Sequence, residues 1–274
     1  MVWFPDTFAL THSHLSLCRK QIKVPNMATL SQSAQARPMT TFARPRRLVD
    51  KYFYFAMSLL FPAIVVWGFS RTVNESLFHA AVPRPLILWF HGGAFFGWVV
   101  LFMFQSVLVR TRNVNWHRFF GWFGATLGAA MVPLGTATAI VMGRFDTYQL
   151  HLPGAEPFLI IPFFDMAAFG TLLTLAIAWR KKPELHRRLL FIATTGLLDA
   201  AFGRFDFIFD HGLFLFFPDL VIGLGVVRDL LVNRRIHRAY LIALPTLIVL
   251  HGLVILIWRS QASWWVHIAH AILA

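Results

Sequence analysis

Long apolar runs almost free of charge constrain this chain more than any motif in it. From Tyr52 onward they fall at Tyr52–Ser70, Pro85–Val109, Phe119–Gly143, Pro157–Trp179 and Ala239–Trp258. At about 1.5 Å per helical residue, each is long enough to cross a bilayer core of about 30 Å. The stretch Leu189–Val227 would make roughly 58 Å of helix, which demands two crossings. Its turn is expected near Asp206–Gly212, where acids and a glycine meet. Only 14% of the 274 residues are charged and 57% are hydrophobic. A soluble surface draws on about 25% charged residues, so a soluble globular domain is excluded. The expected fold is all-α: a polytopic transmembrane helical bundle of seven spans over residues 52–258.

The flanks read differently. Residues 1–51 are rich in Pro, Ser, Thr and Gln, and before Leu48 they hold seven basic residues against one acid, Asp6. No apolar run follows the basic residues as in a secretory signal, so the segment reads as a disordered basic tail or a targeting segment. Met27 and Met39 stand as alternative starts. Residues 259–274, with Trp264 and Trp265, read as an interfacial tail on the outer side.

Lys and Arg assign the orientation. One set of loops carries Arg37, Arg44, Arg46, Arg47 and Lys51, then Arg110, Arg112 and Arg118. Further along, the same side receives Arg180, Lys181, Lys182, Arg187 and Arg188, then Arg228, Arg234, Arg235 and Arg238. The other side has only Arg71, Arg84, Arg144, Arg204 and Arg259. The alternation holds at every loop, placing the N-terminus inside and the C-terminus outside in a bacterial inner membrane. The net charge of +13 is therefore a topological signal, and no nucleic-acid partner is expected. A single cysteine, Cys18, excludes an intramolecular disulfide and any CxxC site.

A short repeat marks the cytoplasmic interface. His117-Arg118, His186-Arg187 and His237-Arg238 each open a span after a basic loop. An adjacent arginine and the positive end of a helix dipole oppose a bound cation, so these pairs read as headgroup contacts. Glycines and alanines at Gly121, Gly124, Gly128 and Gly135, and at Ala193, Gly196, Ala200 and Gly203, read as close-packing stripes. Pro62, Pro133, Pro162, Pro218 and Pro245 fall inside spans and are expected to kink them.

Ionisable groups at membrane depth are costly and usually functional or paired. Here they are His91, Asp165, Asp199, Arg204, Asp219 and His251. Counted from the cytoplasmic ends, Asp199, Asp165 and His251 lie at about 18–20 Å, and Arg204 and His91 at about 25–27 Å. The inner half holds little beyond Gln105. This outer-half cluster is the candidate site for a small ligand, a lipid-like molecule or protons. The expected cavity gathers Asp165 and Asp219 around Arg204, with His91. Asp199 points about 140° away from Arg204 on an ideal helix, and His251 is the outlying member.

Two other classes compete. A membrane redox protein would place haem or quinone near His91 and His251, the only deep histidine pair, which differ in depth by about 7 Å. A structural or assembly protein would use the buried groups for packing alone. No cofactor is expected otherwise, no metal spacing such as HExxH is present, and no nucleotide, nucleophile or paired-carboxylate motif identifies an enzyme.

The strings LWFHGGAFFGWVVLFMFQSVLVRTRNVNWHRFFGWFG (Leu88–Gly124) and KKPELHRRLLFIATTGLLDAAFGRF (Lys181–Phe205) resemble a bacterial family of uncharacterised multi-spanning membrane proteins. The likeness runs from about Tyr52 to Trp258. It is carried by His91, Gln105, His117, Arg118, Asp165, His186, Arg204, Asp219 and His237. The resemblance implies the topology and the polar cluster, and it implies no activity.

Overall fold

The computed structural model describes residues 43–274, with side chains from Leu48 onward. The tail expectations for residues 1–42, including Cys18, Met27 and Met39, lie outside the described residues. The described chain is helical: α1 (Ala43–Phe69), α2 (Ile87–Arg110), α3 (Val114–Tyr148), α4 (Ala155–Phe158), α5 (Ile160–Ala178) and α6 (Pro183–Gly196). It continues through α7 (Asp199–Phe202), α8 (Asp206–Asp210), α9 (Phe216–Asn233), α10 (Arg238–Arg259) and α11 (Ser263–Leu273).

Five helical segments are long and apolar enough to cross a membrane: Leu48–Phe69, Ile87–Arg110, Val114–Tyr148, Ala155–Ala178 and Arg238–Arg259. Their outward faces are apolar. On α10, Ile242, Val249, Leu253 and Leu256 are all exposed. Large exposed apolar surface of this kind fits a hydrocarbon solvent and would be an aggregation hazard in water. The segment from α6 to α9 is built otherwise. Pro183 begins α6, where its missing N–H costs nothing. The regular ladder then stops at Gly196, and Leu198 N donates to Thr195 O while Ala201 N donates to Leu198 O, both at 3.0 Å. These i to i+3 bonds tighten the backbone between α6 and α7. Gly212, at φ +68°, permits the turn that leads into α9.

One boundary differs from the sequence expectation. Residues 43–51, assigned there to the tail, form the first turns of α1. Asp50 in those turns is held by Arg228 of α9, which gives the start of the helix a tertiary anchor. Residues 263–273, within the segment read as an outer interfacial tail, form α11, which packs on α3 and α4. Trp265 Nε1 donates to Pro157 O at 3.0 Å, and Arg144 Nε donates to Leu273 O at 2.9 Å. Pro162 and Pro218 also depart from expectation. Each lies in the first turn of its helix, where no intrahelical N–H bond exists to lose, so neither has cause to kink it.

The core is aromatic and lies between α1, α2, α6, α9 and α10. Phe61 stacks on Phe102 and Phe191, and Tyr240 meets Phe191 edge-on. Small residues permit the close contacts. Gly68 sits against the Ala201 carbonyl, and Gly128 lies under Trp98 and Leu173. Gly121 has open space where a side chain would go, so the stripe on α3 is a contact only from Gly124 onward. We expect Gly128→Leu to destabilise the protein by about 1–3 kcal/mol through overpacking. Gly121→Leu should be close to neutral, and thermal unfolding of both variants in one detergent checks the difference.

Candidate functional site

Four ionisable groups from four helices meet in the interior. Asp219, in the first turns of α9, and His251, in the middle of α10, are both buried. Their Oδ2 and Nδ1 atoms lie 2.8 Å apart. The His251 ring is fixed edge-on by Phe164 and Phe216. Asp165 on α5 and Asp199 at the start of α7 bring their carboxyls close enough for each to act on the other. His251 is close enough to act on the charge of Asp199, which ties the two pairs into one cluster. Asp219 Oδ1 is buried with no partner and remains a free acceptor.

Beside this cluster lies a cavity of about 20 Å³, lined among others by Asp165, Gly196, Leu197 and His251. About 10–15 Å³ is enough for one water, so the space suits a water or a small ion and no larger guest in this conformation. The break after α6 accounts for the convergence. It turns the chain at Leu197 and Leu198, both lining or flanking the cavity, so that Asp199 starts a new short helix facing α5. The backbone N–H of Ala200 donates to the Asp199 carboxyl.

The expected membership of the cluster is therefore corrected. Asp165 and Asp219 are in it, together with Asp199 and His251, which the sequence reading set at its margin. Arg204 is not in it. Its guanidinium lies over the Phe69 ring, 4.7 Å from the centroid, and the charge acting on it is Arg84. His91 is also elsewhere: it stacks on Phe95 at 4.1 Å, with Nδ1 buried and unpartnered. The physical reason is the helix break. The 140° separation of Asp199 from Arg204 assumed continuous helix, and continuity fails on both sides of α7.

A second polar assembly escaped the sequence reading. At the end of the bundle bearing the basic loops, Asp229 of α9 is fully buried between Arg188 of α6 and Arg228. Arg188 Nη2 and Nε donate to Asp229 at 2.6 and 3.0 Å, and Arg228 Nη1 donates at 2.7 Å. Asn233 Nδ2 and the His237 backbone N–H complete the acceptor shell. Arg188 also donates to Glu184 at 2.7 Å, and Arg228 reaches Asp50 of α1. Arg188 and Arg228 count as loop charges in the orientation argument, yet both are buried. The available signal was an acid, Asp229, next to a basic run with no exposed role.

The three His-Arg pairs do separate local work. His186 Nδ1 lies 2.8 Å from the Ala176 carbonyl, closing the α5–α6 turn. His237 Nδ1 accepts the Ala239 N–H at 3.1 Å and caps α10. His117 lies near enough to His186 to act on it, with its Nδ1 buried and unpartnered. Arg187 pairs with Glu184 at 2.7 Å, while Arg118 and Arg238 are not part of any cluster among the described residues. Among the described residues, no group of three or more His, Cys, Asp or Glu has the arrangement of a metal centre.

No family model, curated protein or solved structure matches this chain. The class rests on the fold itself: an all-helical protein with five candidate membrane-spanning helices and buried charged residues.

Two measurements test the basic-end network. Asp229→Asn would take from the buried Arg188 and Arg228 the carboxylate they share, and we expect a loss of about 3–5 kcal/mol in unfolding stability. Glu184→Gln, at an exposed carboxylate, should cost less than about 1 kcal/mol. The second concerns pH. Burial pushes the Glu184 carboxyl up, but Arg188 and Arg187 outweigh it and hold the group below its ordinary value of 4.5. A depressed carboxylate contributes stability above its unfolded value, and that stability is lost as pH falls through the folded value. Burial and Arg188 also hold His237 below its ordinary 6.5, so the unfolded chain protonates first and acid opposes the α10 cap. Thermal stability should therefore fall as pH drops below about 6.5, and fall further through the carboxylate range. Glu184→Gln should flatten only the more acidic limb.

Proposed function

We propose that the protein is a seven-pass inner-membrane protein, N-terminus inside, whose interior cluster binds and releases protons in a transport or sensing cycle. The observation that carries this reading is the closeness of two carboxyl groups, Asp165 and Asp199, beside the buried His251–Asp219 pair. Such an assembly holds fewer protons than it has sites for, and small shifts in geometry change how many it keeps. The adjacent cavity has room for a water that could link the groups to one another.

Seven passes follow from treating α6–α7 and α9 as crossings. The 14 residues of α6 make about 21 Å of helix, which the turn and α7 extend, and α9 makes about 27 Å, together in the range of two crossings. Leu220, Leu224, Val227 and Leu231 form an exposed stripe on α9, as a lipid-facing helix would. The basic loops then share the cytoplasmic side, and the bilayer is the main partner. The resemblance to uncharacterised bacterial membrane proteins belongs to this reading and adds no chemistry to it.

Topology is checked with reporter fusions, one after His151 and one after Lys182, which should report opposite sides of the membrane. Both on one side would refute seven passes. For the site, a hydrophobic carbodiimide, which modifies protonated carboxyls in apolar surroundings, should label Asp165 or Asp199, with the adduct located by mass spectrometry. In proteoliposomes under an imposed potential, wild-type protein should move protons and Asp199→Asn should not. Unlabelled carboxyls together with no proton movement would rule out the proposal.

A further inference from the structure

Lys51 of α1 and Arg110, the last residue of α2, come together on one aromatic ring. The Arg110 guanidinium lies 4.1 Å from the centroid of Tyr52 and 4.9 Å from that of Phe55. The Lys51 ammonium lies 5.3 Å from the Tyr52 centroid. The two charges are therefore no further apart than their distances to Tyr52 laid end to end. Lys51, Tyr52 and Arg110 are all exposed. Among the described residues neither cation takes part in an ion pair. Asp50, beside Lys51 in the sequence, is engaged by Arg228 instead. Like charges held this near repel, and more so beside an apolar phase than in open water. An anion taken up between them removes that repulsion.

We propose that Lys51, Tyr52 and Arg110 form a headgroup site for an anionic phospholipid, whose phosphate takes donors from both cations. Depth argues for a lipid. The three residues lie at the ends of two packed apolar segments, Leu48–Phe69 and Ile87–Arg110. That end of the bundle carries the basic loops, and a bilayer crossed by α1 and α2 would place its phosphates there. Leu59, two turns further along α1, and Val109 are exposed apolar side chains that an acyl chain can cover. A lone arginine snorkelling to bulk lipid needs no partner. Here one ring gathers cations from two helices. The site rests on α1 and α2 crossing a bilayer, and it is independent of the number of passes and of the interior cluster.

The test uses the full chain in a neutral sugar detergent, with bound lipid counted by native mass spectrometry. Phosphatidylglycerol is titrated in one arm, and phosphatidylcholine, a zwitterion that carries the same phosphate, in the other. We expect a saturable first adduct with phosphatidylglycerol that phosphatidylcholine forms more weakly. Lys51→Gln and Arg110→Gln should each weaken that adduct about fivefold. Tyr52→Ala removes no charge but takes away the shared ring, and should weaken it too, whereas Tyr52→Phe should bind as wild type does. Arg235→Gln removes an exposed charge at the same end of the bundle and should leave the first adduct nearly unchanged. Equal binding of the two lipids by wild type overturns the proposal. So does an equal loss in Arg235→Gln and Arg110→Gln, which would mean that net charge alone attracts the lipid. Displacement of the adduct by inorganic phosphate, at ionic strength held constant with chloride, assigns a soluble anion and overturns the lipid. Should Arg110→Gln fail to fold, wild-type binding by both Lys51→Gln and Tyr52→Ala overturns it as well.

Discussion

A carboxylate removed from all water must be surrounded by donors, and the position of Asp229 depends on how completely that is done. Two arginines, an asparagine amide and a backbone N–H converge on it. The assembly links α6, α9 and the α9–α10 connection, and through Asp50 it extends to α1. Desolvating so many charges is expensive, and such a network is weak evidence for extra stability by itself. Its physical effect is on register. Sliding α6 along α9 by one turn, about 5.4 Å, would part Arg188 from Asp229 and leave the buried acid with Arg228 as its remaining cation.

The same register places the interior cluster. Asp199 follows Arg188 on one leg, just past the break that ends α6, and Asp219 lies about 15 Å beyond Asp229 along α9 on the other. Fixing the pair at one end thus brings both acids to one level further in. His251 then reaches Asp219 from α10, whose start is capped by His237 beside the network. Asp165 completes the set from α5, which the His186 contact with Ala176 ties to the base of α6.

Much of this was legible in the sequence, for reasons that also explain what was not. Apolar runs report a solvent, so the all-helical architecture and the main membrane segments could be read from composition along the chain. Depth was legible too: Asp165, Asp199, Asp219 and His251 stand out because ionisable residues are rare in such runs. Partnership was not. Pairing Arg204 with the acids followed charge complementarity at similar depth, but Phe69 and Arg84 are its neighbours. Setting Asp199 aside followed ideal helix rotation, which the break at Leu197–Leu198 cancels. Arg188 and Arg228 were counted as loop charges because a Lys/Arg tally records sign and position and is blind to burial.

Between the two polar assemblies lies an aromatic and aliphatic layer that includes Phe61, Phe191, Ile192, Ile222 and Tyr240, all buried. Across such a layer each assembly has to settle its own charge. At the basic end the cations are the arginines Arg187, Arg188 and Arg228, a residue type that keeps its proton under ordinary conditions, and they face the three acids Asp50, Glu184 and Asp229. That network balances with every group in its usual ionisation state, so proton exchange is not needed to hold it together. The interior cluster has three acids and one histidine, and no arginine joins it. Even with His251 charged, full ionisation would leave an excess of negative charge in a site with little water to screen it. Protons are one available counter-charge, and the closeness of Asp165 to Asp199 makes ionising both costly. Permanent charges at one end and titratable ones in the interior are thus two solutions to the same burial problem. Only the second leaves a group free to change its state.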